Sequence, residues 1–297
     1  MAFAKTYLQE HDETDARCLE TADYSQFKAC ILRKTGIDLN LYRQQQMHRR
    51  LWGLVERAGK KSFMEYYALL EQDPQEYALF LDRLTINVSE LFRNPEKWQE
   101  LRTHILPELL AQGGPLRVWS AGCSYGAEPY SLAILLDQIA PERPHRILAT
   151  DLDRSILKKA QQGRFTRADV RHVEPNILRR YFEGTPNASL PADADACYTL
   201  CPRIRDRVTF RAHNLLCDPF EKDFDLICCR NVVIYFTEEA KETLYQRFYD
   251  ALKPGGYLFV GGSERIFRYR EIGFDSPLPF FYRKRGDAPN HKPLKRT

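Results

Sequence analysis

Apolar residues recur at helical spacing in the first third of the chain and gather into short continuous runs further on. Between residues 24 and 84 the apolar positions fall three to four residues apart, a spacing that favours amphipathic helices. We predict four helices there: residues 24–35, residues 40–58, one opened by a capping box at Ser62 and one from about Pro74. Gly36 and Gly59 are the stop signals of the first two.

Apolar runs of strand length begin near residues 116, 145, 208, 224 and 257. A helix over residues 95–112 leads into the first run, and helical segments separate the others. Strands that alternate with helices favour a parallel sheet in a doubly wound α/β domain.

A glycine-containing turn follows the first predicted strand. Gly122 and Gly126 allow positive φ angles and close ligand approach, although two glycines alone are equally typical of an ordinary turn. Asp151 comes directly after the second predicted strand. It lies roughly 25 residues after the glycine turn, close to the ~20 expected of an acid that binds ribose hydroxyls. We interpret Asp151 as a ligand-binding residue and Asp153 as the cap of the next helix.

Five motifs in this order resemble the CheR family, the bacterial methyltransferases of chemotaxis receptors. They are Ala121–Ser131 (AGCSYGAEPYS), 150–153 (TDLD), 229–236 (CRNVVIYF), 252–256 (LKPGG) and 262–264 (GSE). The resemblance implies a class I S-adenosylmethionine-dependent methyltransferase with a Rossmann-like doubly wound α/β sheet. It also implies a small N-terminal all-helical domain and a small inserted antiparallel β subdomain.

The resemblance implies that a methyl group passes from S-adenosylmethionine to glutamate side chains of chemoreceptor cytoplasmic helices, giving glutamyl methyl esters and S-adenosylhomocysteine. Carried over by motif, the cofactor-binding residues are Asn87, Ser89, Arg93, Gly122, Glu128, Asp151, Asn214, Leu215, Asn231 and Val232. Within this set Glu128 would take the methionine amino group, Asp151 the ribose, and Asn214 with Leu215 the adenine.

Arg93, from the cofactor-binding set, and Tyr235 are the implied catalytic groups. Arg93 could clamp a carboxylate of the cofactor or of the substrate, or it could form a salt bridge between domains. Tyr235 could present its hydroxyl to the incoming carboxylate, or it could pack in the core beside Phe236. The sequence leaves these alternatives open.

A basic segment lies within the predicted helices. Residues 28–61 contain nine Lys and Arg against two acidic residues, an excess of seven positive charges. Arg43, Arg50 and Arg57 line up on one helix face at seven-residue spacing. They could be a solvated face, but we interpret them as a docking surface for an acidic partner. The family resemblance implies that this partner is the chemoreceptor.

The chain divides by composition and by resemblance into several segments. We predict a loosely ordered leader (1–22), a helical domain (23–84), a linker and connecting helix (85–115), a methyltransferase domain (116–284) with an inserted β subdomain (about 181–207), and a basic tail (285–297). The loop of that subdomain lacks the Gly-x-Gly turn with which some family members bind a tethered receptor peptide, so we do not expect such binding here.

Composition narrows the function classes. The 43% hydrophobic and 12% aromatic content is ordinary for a globular protein, and no apolar run is long enough to span a bilayer. A net charge of +4 is a poor argument for nucleic-acid binding, and the eight cysteines form no paired C-x-x-C. We expect a cytoplasmic monomer without metal, membrane insertion or nucleic acid. The alternatives are a non-catalytic S-adenosylmethionine-sensing receptor adaptor and a nucleic-acid methyltransferase.

Overall fold

The computed structural model describes residues 21–85, 87–183 and 198–286 and divides into two compact units. The first, here called the helical unit, comprises Met1–Ile86 and Tyr235–Thr243. The second, the sheet unit, comprises Asn87–Ile234 and Leu244–Thr297. Most of the predicted leader and tail lies outside the described residues. No helix in the described ranges is long and apolar enough to cross a membrane.

Between residues 21 and 85 the structure has four α-helices: α1 Ala22–Thr35, α2 Gln44–Arg57, α3 Phe63–Gln72 and α4 Pro74–Leu84. Gly36 ends α1 in the left-handed conformation, and the Ser62 hydroxyl accepts a hydrogen bond from the Glu65 amide at the start of α3. These confirm the predicted signals. The predicted start of α2 near residue 40 is wrong, because a 3₁₀ turn over Leu39–Leu41 comes first.

An aromatic cluster and the apolar stripe of α2 fill the core of the helical unit. The Phe27 ring lies 5.3 Å from that of Phe63 and 6.2 Å from that of Phe80. The buried residues of α2 are Met47, Leu51, Leu54 and Val55. Their burial confirms the amphipathic helix that the spacing of apolar positions predicted.

The segment Tyr235–Thr243 is held to the helical unit by backbone pairing. The Arg43 amide donates to the Tyr235 carbonyl over 2.9 Å, and the Thr237 amide donates to the Leu41 carbonyl over 2.9 Å. Tyr42 and Phe236 form an antiparallel bridge between these contacts. A stretch remote in sequence therefore belongs to the helical unit.

The described part of the sheet unit contains ten strands: β1 Arg117–Ala121, β2 Arg146–Asp151, β3 Arg164–Phe165, β4 Phe182–Glu183, β5 Tyr198–Leu200, β6 Val208–Ala212, β7 Phe224–Cys229, β8 Leu252–Val260, β9 Phe274–Leu278 and β10 Phe281–Lys284. Seven form one sheet in the order β6-β2-β1-β7-β8-β10-β9. The first five are parallel, while β10 is antiparallel to β8 and β9.

The register aligns the carboxyl ends of the central strands. Ala121 pairs with Thr150, and Asp151 pairs with Ala212. The loops after β1, β2 and β6 therefore leave the sheet at one edge, where open α/β sheets bind ligands.

The remaining helices are α5 Pro95–Glu100, α6 Leu106–Ala111, α7 Ala127–Ile139, α8 Arg154–Gln162, α9 Pro175–Tyr181, α10 Pro202–Arg205, α11 Glu238–Ala251 and α12 Tyr269–Ile272. The single helix predicted over residues 95–112 is interrupted by a π-helical turn at Leu101–Ile105. Pro107 follows this turn and has no amide hydrogen to continue a regular ladder.

A second, antiparallel sheet has the order β3-β5-β4. It is the small antiparallel sheet that the resemblance implied. Its strand β3 precedes the range 181–207 assigned from sequence. Residues 184–197, which contain most of the loop without the Gly-x-Gly turn, lie outside the described part.

Candidate cofactor site

The glycine turn after β1 is tightly held to the end of β2. The amides of Gly122 and Cys123 both donate to the Thr150 carbonyl, over 2.8 and 2.9 Å. Gly122 has a φ of 82°, and a Cβ placed on it would lie 2.5 Å from Cγ2 of Val232. Only glycine fits there, so Gly122 and Val232, both predicted cofactor-binding residues, lie against each other.

Asp151 is oriented by backbone amides at the end of β2. Its carboxylate accepts hydrogen bonds from the Ser124 amide over 2.8 Å and from the Asp153 amide over 3.1 Å. Burial raises the pKa of Asp151, and these amides oppose that rise. Asp153 accepts from the Ser155 amide over 2.7 Å as the cap of α8, which confirms that prediction.

Asn87 joins the linker to the same edge of the sheet. Its side-chain amide donates to the Asp153 carboxylate over 3.1 Å, and its oxygen accepts from the Ser124 hydroxyl over 3.5 Å. The carbonyl of Ser89 accepts a hydrogen bond from the Tyr125 hydroxyl. Residues 87–89 therefore lie on the turn that contains Gly122.

Glu128 is buried at the start of α7. Its carboxylate accepts a hydrogen bond from the Ser120 hydroxyl over 2.7 Å and lies 3.8 Å from the Arg230 guanidinium. Burial raises the pKa of Glu128, and the positive charge of Arg230 opposes the rise. Glu128 is thus a buried acidic side chain that Ser120 and Arg230 hold at the start of α7.

Arg230 is a buried residue of this site to which the sequence assigned no role. Its guanidinium donates to the Arg93 carbonyl over 2.8 Å and to the Asn94 side chain over 3.0 Å. It also lies 4.6 Å from the centre of the Phe259 ring. Arg230 therefore fixes the backbone at Arg93 and links it to Glu128.

Arg93 lies between two residues with unusual backbone angles. Phe92 and Asn94 have φ values of 54° and 61°, in the left-handed region that non-glycine residues seldom adopt. The Arg93 guanidinium donates to the Val88 carbonyl over 3.4 Å. Within the described ranges, no carboxylate lies at salt-bridge distance from it.

Glu264 is the second residue that the sequence left without a role. The residue is 3% exposed, and its carboxylate accepts four backbone hydrogen bonds. The donors are the amides of Asn231 (2.6 Å), Val232 (2.7 Å), Val233 (2.9 Å) and Gly261 (2.8 Å). Glu264 thereby holds the loop after β7, where Asn231 has a φ of 60°. The Gly-Ser-Glu motif was the only sequence signal for it.

Asn214 and Leu215 follow β6 beside Asp151. The preceding residue, His213, donates from its amide to the Asp151 carbonyl over 2.9 Å. The Asn214 side-chain oxygen accepts from the Leu216 amide over 3.0 Å, and Leu215 is buried. The adenine-binding assignment of these residues remains a prediction.

Tyr235 belongs to the helical unit, together with the three arginines of the predicted docking surface. Its ring lies 5.3 Å from the Arg50 guanidinium. Arg43 pairs with Glu238 over 3.2 Å and Arg57 with Glu76 over 3.7 Å. The excess of positive charge counted over residues 28–61 did not include Glu76 and Glu238, because both lie outside that segment.

Two family models match this chain. "CheR methyltransferase, SAM binding domain" covers residues 87–275, and "CheR methyltransferase, all-alpha domain" covers residues 22–85. The chain belongs to the CheR methyltransferase family. It is therefore a methyltransferase of chemotaxis, and S-adenosylmethionine is its cofactor.

Curated relatives agree with the family models. The chain is 40% identical to a chemotaxis protein methyltransferase of Listeria innocua, over 88% of this chain and 97% of that protein. A protein of the same name from Listeria monocytogenes shares 40% identity over the same fractions. Chemotaxis protein methyltransferase 1 of Pseudomonas aeruginosa is 37% identical over 82% of this chain and 90% of that protein.

The residues of the sheet unit fit this cofactor. Gly122 lets the turn after β1 pack closely on Val232, and Asp151 is held by amides at the carboxyl end of β2, where open α/β sheets bind ligands. Glu128 supplies a buried negative charge that suits an ammonium group. The fit rests on three independent features of the same sheet edge.

Proposed function

We propose that this CheR-family protein methylates glutamate side chains on the cytoplasmic helices of chemoreceptors, forming glutamyl methyl esters and releasing S-adenosylhomocysteine. The observation that carries the proposal is the similarity to chemotaxis protein methyltransferases over most of the chain. When bound, S-adenosylmethionine supplies a methyl group activated by its sulfonium charge.

The chemistry of the sheet unit supports a carboxylate as the methyl acceptor. Glu128 is engaged by Ser120 and Arg230, and Asp151 is engaged by two amides, so neither is set up as a general base. A glutamate acceptor has an unperturbed pKa of about 4.3 and is already ionised at neutral pH. The protein then needs only to align and desolvate the acceptor, and such positioning can contribute about 7 kcal/mol or more.

The site assignments are part of this proposal. Glu128 pairs with the cofactor ammonium group, Asp151 binds the ribose hydroxyls, and Asn231 with Val232 borders the sulfonium. Arg93 and Tyr235 remain the proposed catalytic residues, and Arg93 would clamp a carboxylate of the cofactor or of the substrate. The remaining cofactor contacts come from Asn87, Ser89, Gly122, Asn214 and Leu215.

The receptor docks, on this proposal, on the exposed arginines of the helical unit. Arg43 and Arg57 have side chains that are 46% and 44% exposed. Their surface ion pairs with Glu238 and Glu76 contribute little stability and can exchange for receptor carboxylates. Arg50 lies between them and is the least accessible of the three.

Methyl transfer to receptor-containing membranes tests the proposal. We expect radiolabelled S-adenosylmethionine to label the receptor and base treatment to release the label as methanol, because esters hydrolyse and N-methyl groups do not. An Arg43→Glu/Arg57→Glu variant should bind the cofactor normally and label the receptor poorly. Cofactor binding without base-labile receptor label would reject the proposal.

A further inference from the structure

The loop after β8 presents an aromatic side chain to solvent. Phe267 is 85% exposed, more than any other large apolar residue among those described. Monomeric proteins tolerate single exposed apolar residues, but an exposed aromatic among arginines has the composition of an interface hot spot.

The exposure of Phe267 is built into the loop. Buried and exposed residues alternate along this loop. Glu264 and Ile266 are each 3% exposed, whereas Arg265 and Phe267 are exposed to solvent. Glu264 is fixed by four amides, and the Ile266 amide donates to the Tyr282 hydroxyl over 2.9 Å. Both neighbours of Arg265 are therefore anchored, and Phe267 follows directly from the second anchor.

Three arginines lie within three residues of Phe267 along the chain. Arg265, Arg268 and Arg270 are all exposed. Arg268 pairs with Glu271 over 3.0 Å, but both side chains are 66% exposed, so this pair is screened and easily exchanged. Arg265 and Arg270 form no ion pair with the described residues. The surface therefore favours an acidic partner with an apolar side chain to cover the ring.

The position of the loop indicates which partner this is. Through Glu264 it is bonded to Asn231–Val233, the loop that borders the proposed methyl-transfer site. Phe267 follows Glu264 by three residues, so a partner seated on its ring contacts the loop that supports Asn231–Val233.

We propose that Phe267, Arg265, Arg268 and Arg270 form a docking surface for the acidic, amphipathic helix that carries the acceptor glutamate. This inference rests on the proposed function and adds a substrate contact in the sheet unit to the arginines of the helical unit. The ring covers an apolar position of the helix, and the guanidinium groups pair with its carboxylates.

The test uses two variants and a matched control in the full chain. Phe267→Ser removes the ring, and Arg265→Glu/Arg270→Glu reverses two charges. Lys158→Glu, on the exposed face of α8, is the control for a change of surface charge. We expect both surface variants to raise the KM for receptor membranes at least tenfold, with the Kd for S-adenosylmethionine within twofold of wild type. Lys158→Glu should change neither value.

Direct binding separates this inference from the proposed function. Calorimetry with a purified receptor cytoplasmic fragment should give at least tenfold weaker binding for both surface variants, whether or not the fragment is methylated. Wild-type binding without methylation would reject the proposed function and leave the docking surface standing. Unchanged affinity of the variants for the fragment would overturn the inference. Loss of binding to phosphatidylglycerol vesicles alone would make the surface a membrane contact and would also overturn it.

Discussion

The guanidinium of Arg50 lies 5.3 Å from the centre of the Tyr235 ring, within the helical unit. Arg50 also donates to the Leu84 carbonyl over 3.4 Å. Burial lowers its pKa, and the neighbouring Tyr235 and Tyr42 oppose that change. Arg50 is thus packed on a proposed catalytic tyrosine, unlike the more exposed Arg43 and Arg57.

Replacement of Arg50 should cost more stability than replacement of Arg57. Arg50→Ala removes a partly desolvated cation–π contact and the packing of the side-chain stem, and we expect a loss of about 1–2 kcal/mol in the free energy of unfolding. Arg57→Ala removes only a surface ion pair and should cost less than ~0.5 kcal/mol. Urea denaturation followed by far-UV circular dichroism measures both. Equal losses would contradict the packed role of Arg50.

Loss of the Glu264 carboxylate should weaken cofactor binding indirectly, through the loop at Asn231–Val233 that this carboxylate supports. Each oxygen of the Glu264 carboxylate accepts hydrogen bonds from two backbone amides. Glu264→Gln replaces one of these oxygens by an NH₂ donor, so two backbone N–H groups lose their acceptor. We expect at least tenfold weaker S-adenosylmethionine binding by calorimetry, because Asn231 and Val232 lose their support. The control, Glu271→Gln on α12, changes an exposed residue. A folded Glu264→Gln protein with wild-type affinity for S-adenosylmethionine would show that the loop at Asn231–Val233 keeps its conformation without the carboxylate.

A methyl group at Gly122 should distort the cofactor site. Gly122→Ala places a carbon 2.5 Å from Val232 at a φ of 82°, so the strain falls on both loops of the site. We expect loss of S-adenosylmethionine binding in calorimetry. Gly53→Ala is the matched control, because no atom lies within 4 Å of its Cβ position. It lies within α2, and we expect it to stabilise the protein by about 0.5–1 kcal/mol.

Local signals predicted the parts of this fold that depend on neighbours in sequence. Asp153 precedes a helical stretch, and it caps α8 as expected. The start of α2 was mispredicted because the backbone at Arg43 pairs with Tyr235, which no local pattern reveals.

The same distinction applies to the candidate site. Gly122 and Asp151 could be selected because their signals, a turn and a strand end, are local. Arg230 and Glu264 could not be assigned roles, because their hydrogen-bond partners, apart from Gly261, lie 31 to 137 residues away. Hydrogen bonds over such separations follow from the sheet order, which brings β7, β8 and the loop at Arg93 together only after folding.

Affinity for S-adenosylmethionine should fall on acidification, and the fall should begin at a higher pH than it would if Glu128 had the pKa of an ordinary glutamate. Burial raises the pKa of Glu128, and Arg230 only partly offsets this. Below that raised pKa the carboxylate is neutral and cannot pair with the cofactor ammonium group, so the Kd should rise about tenfold per pH unit.

Calorimetry of S-adenosylmethionine binding between pH 8 and pH 5 measures this dependence. Glu128→Gln should bind more weakly at neutral pH, because it lacks the negative charge, and it should lose the decline seen in wild type. Asp151 has a pKa that burial also raises, so a decline that persists unchanged in Glu128→Gln would assign the titration to Asp151 instead. The variant thus distinguishes the two buried carboxylates of the site, and a flat profile identifies Glu128 as the group whose charge the cofactor requires.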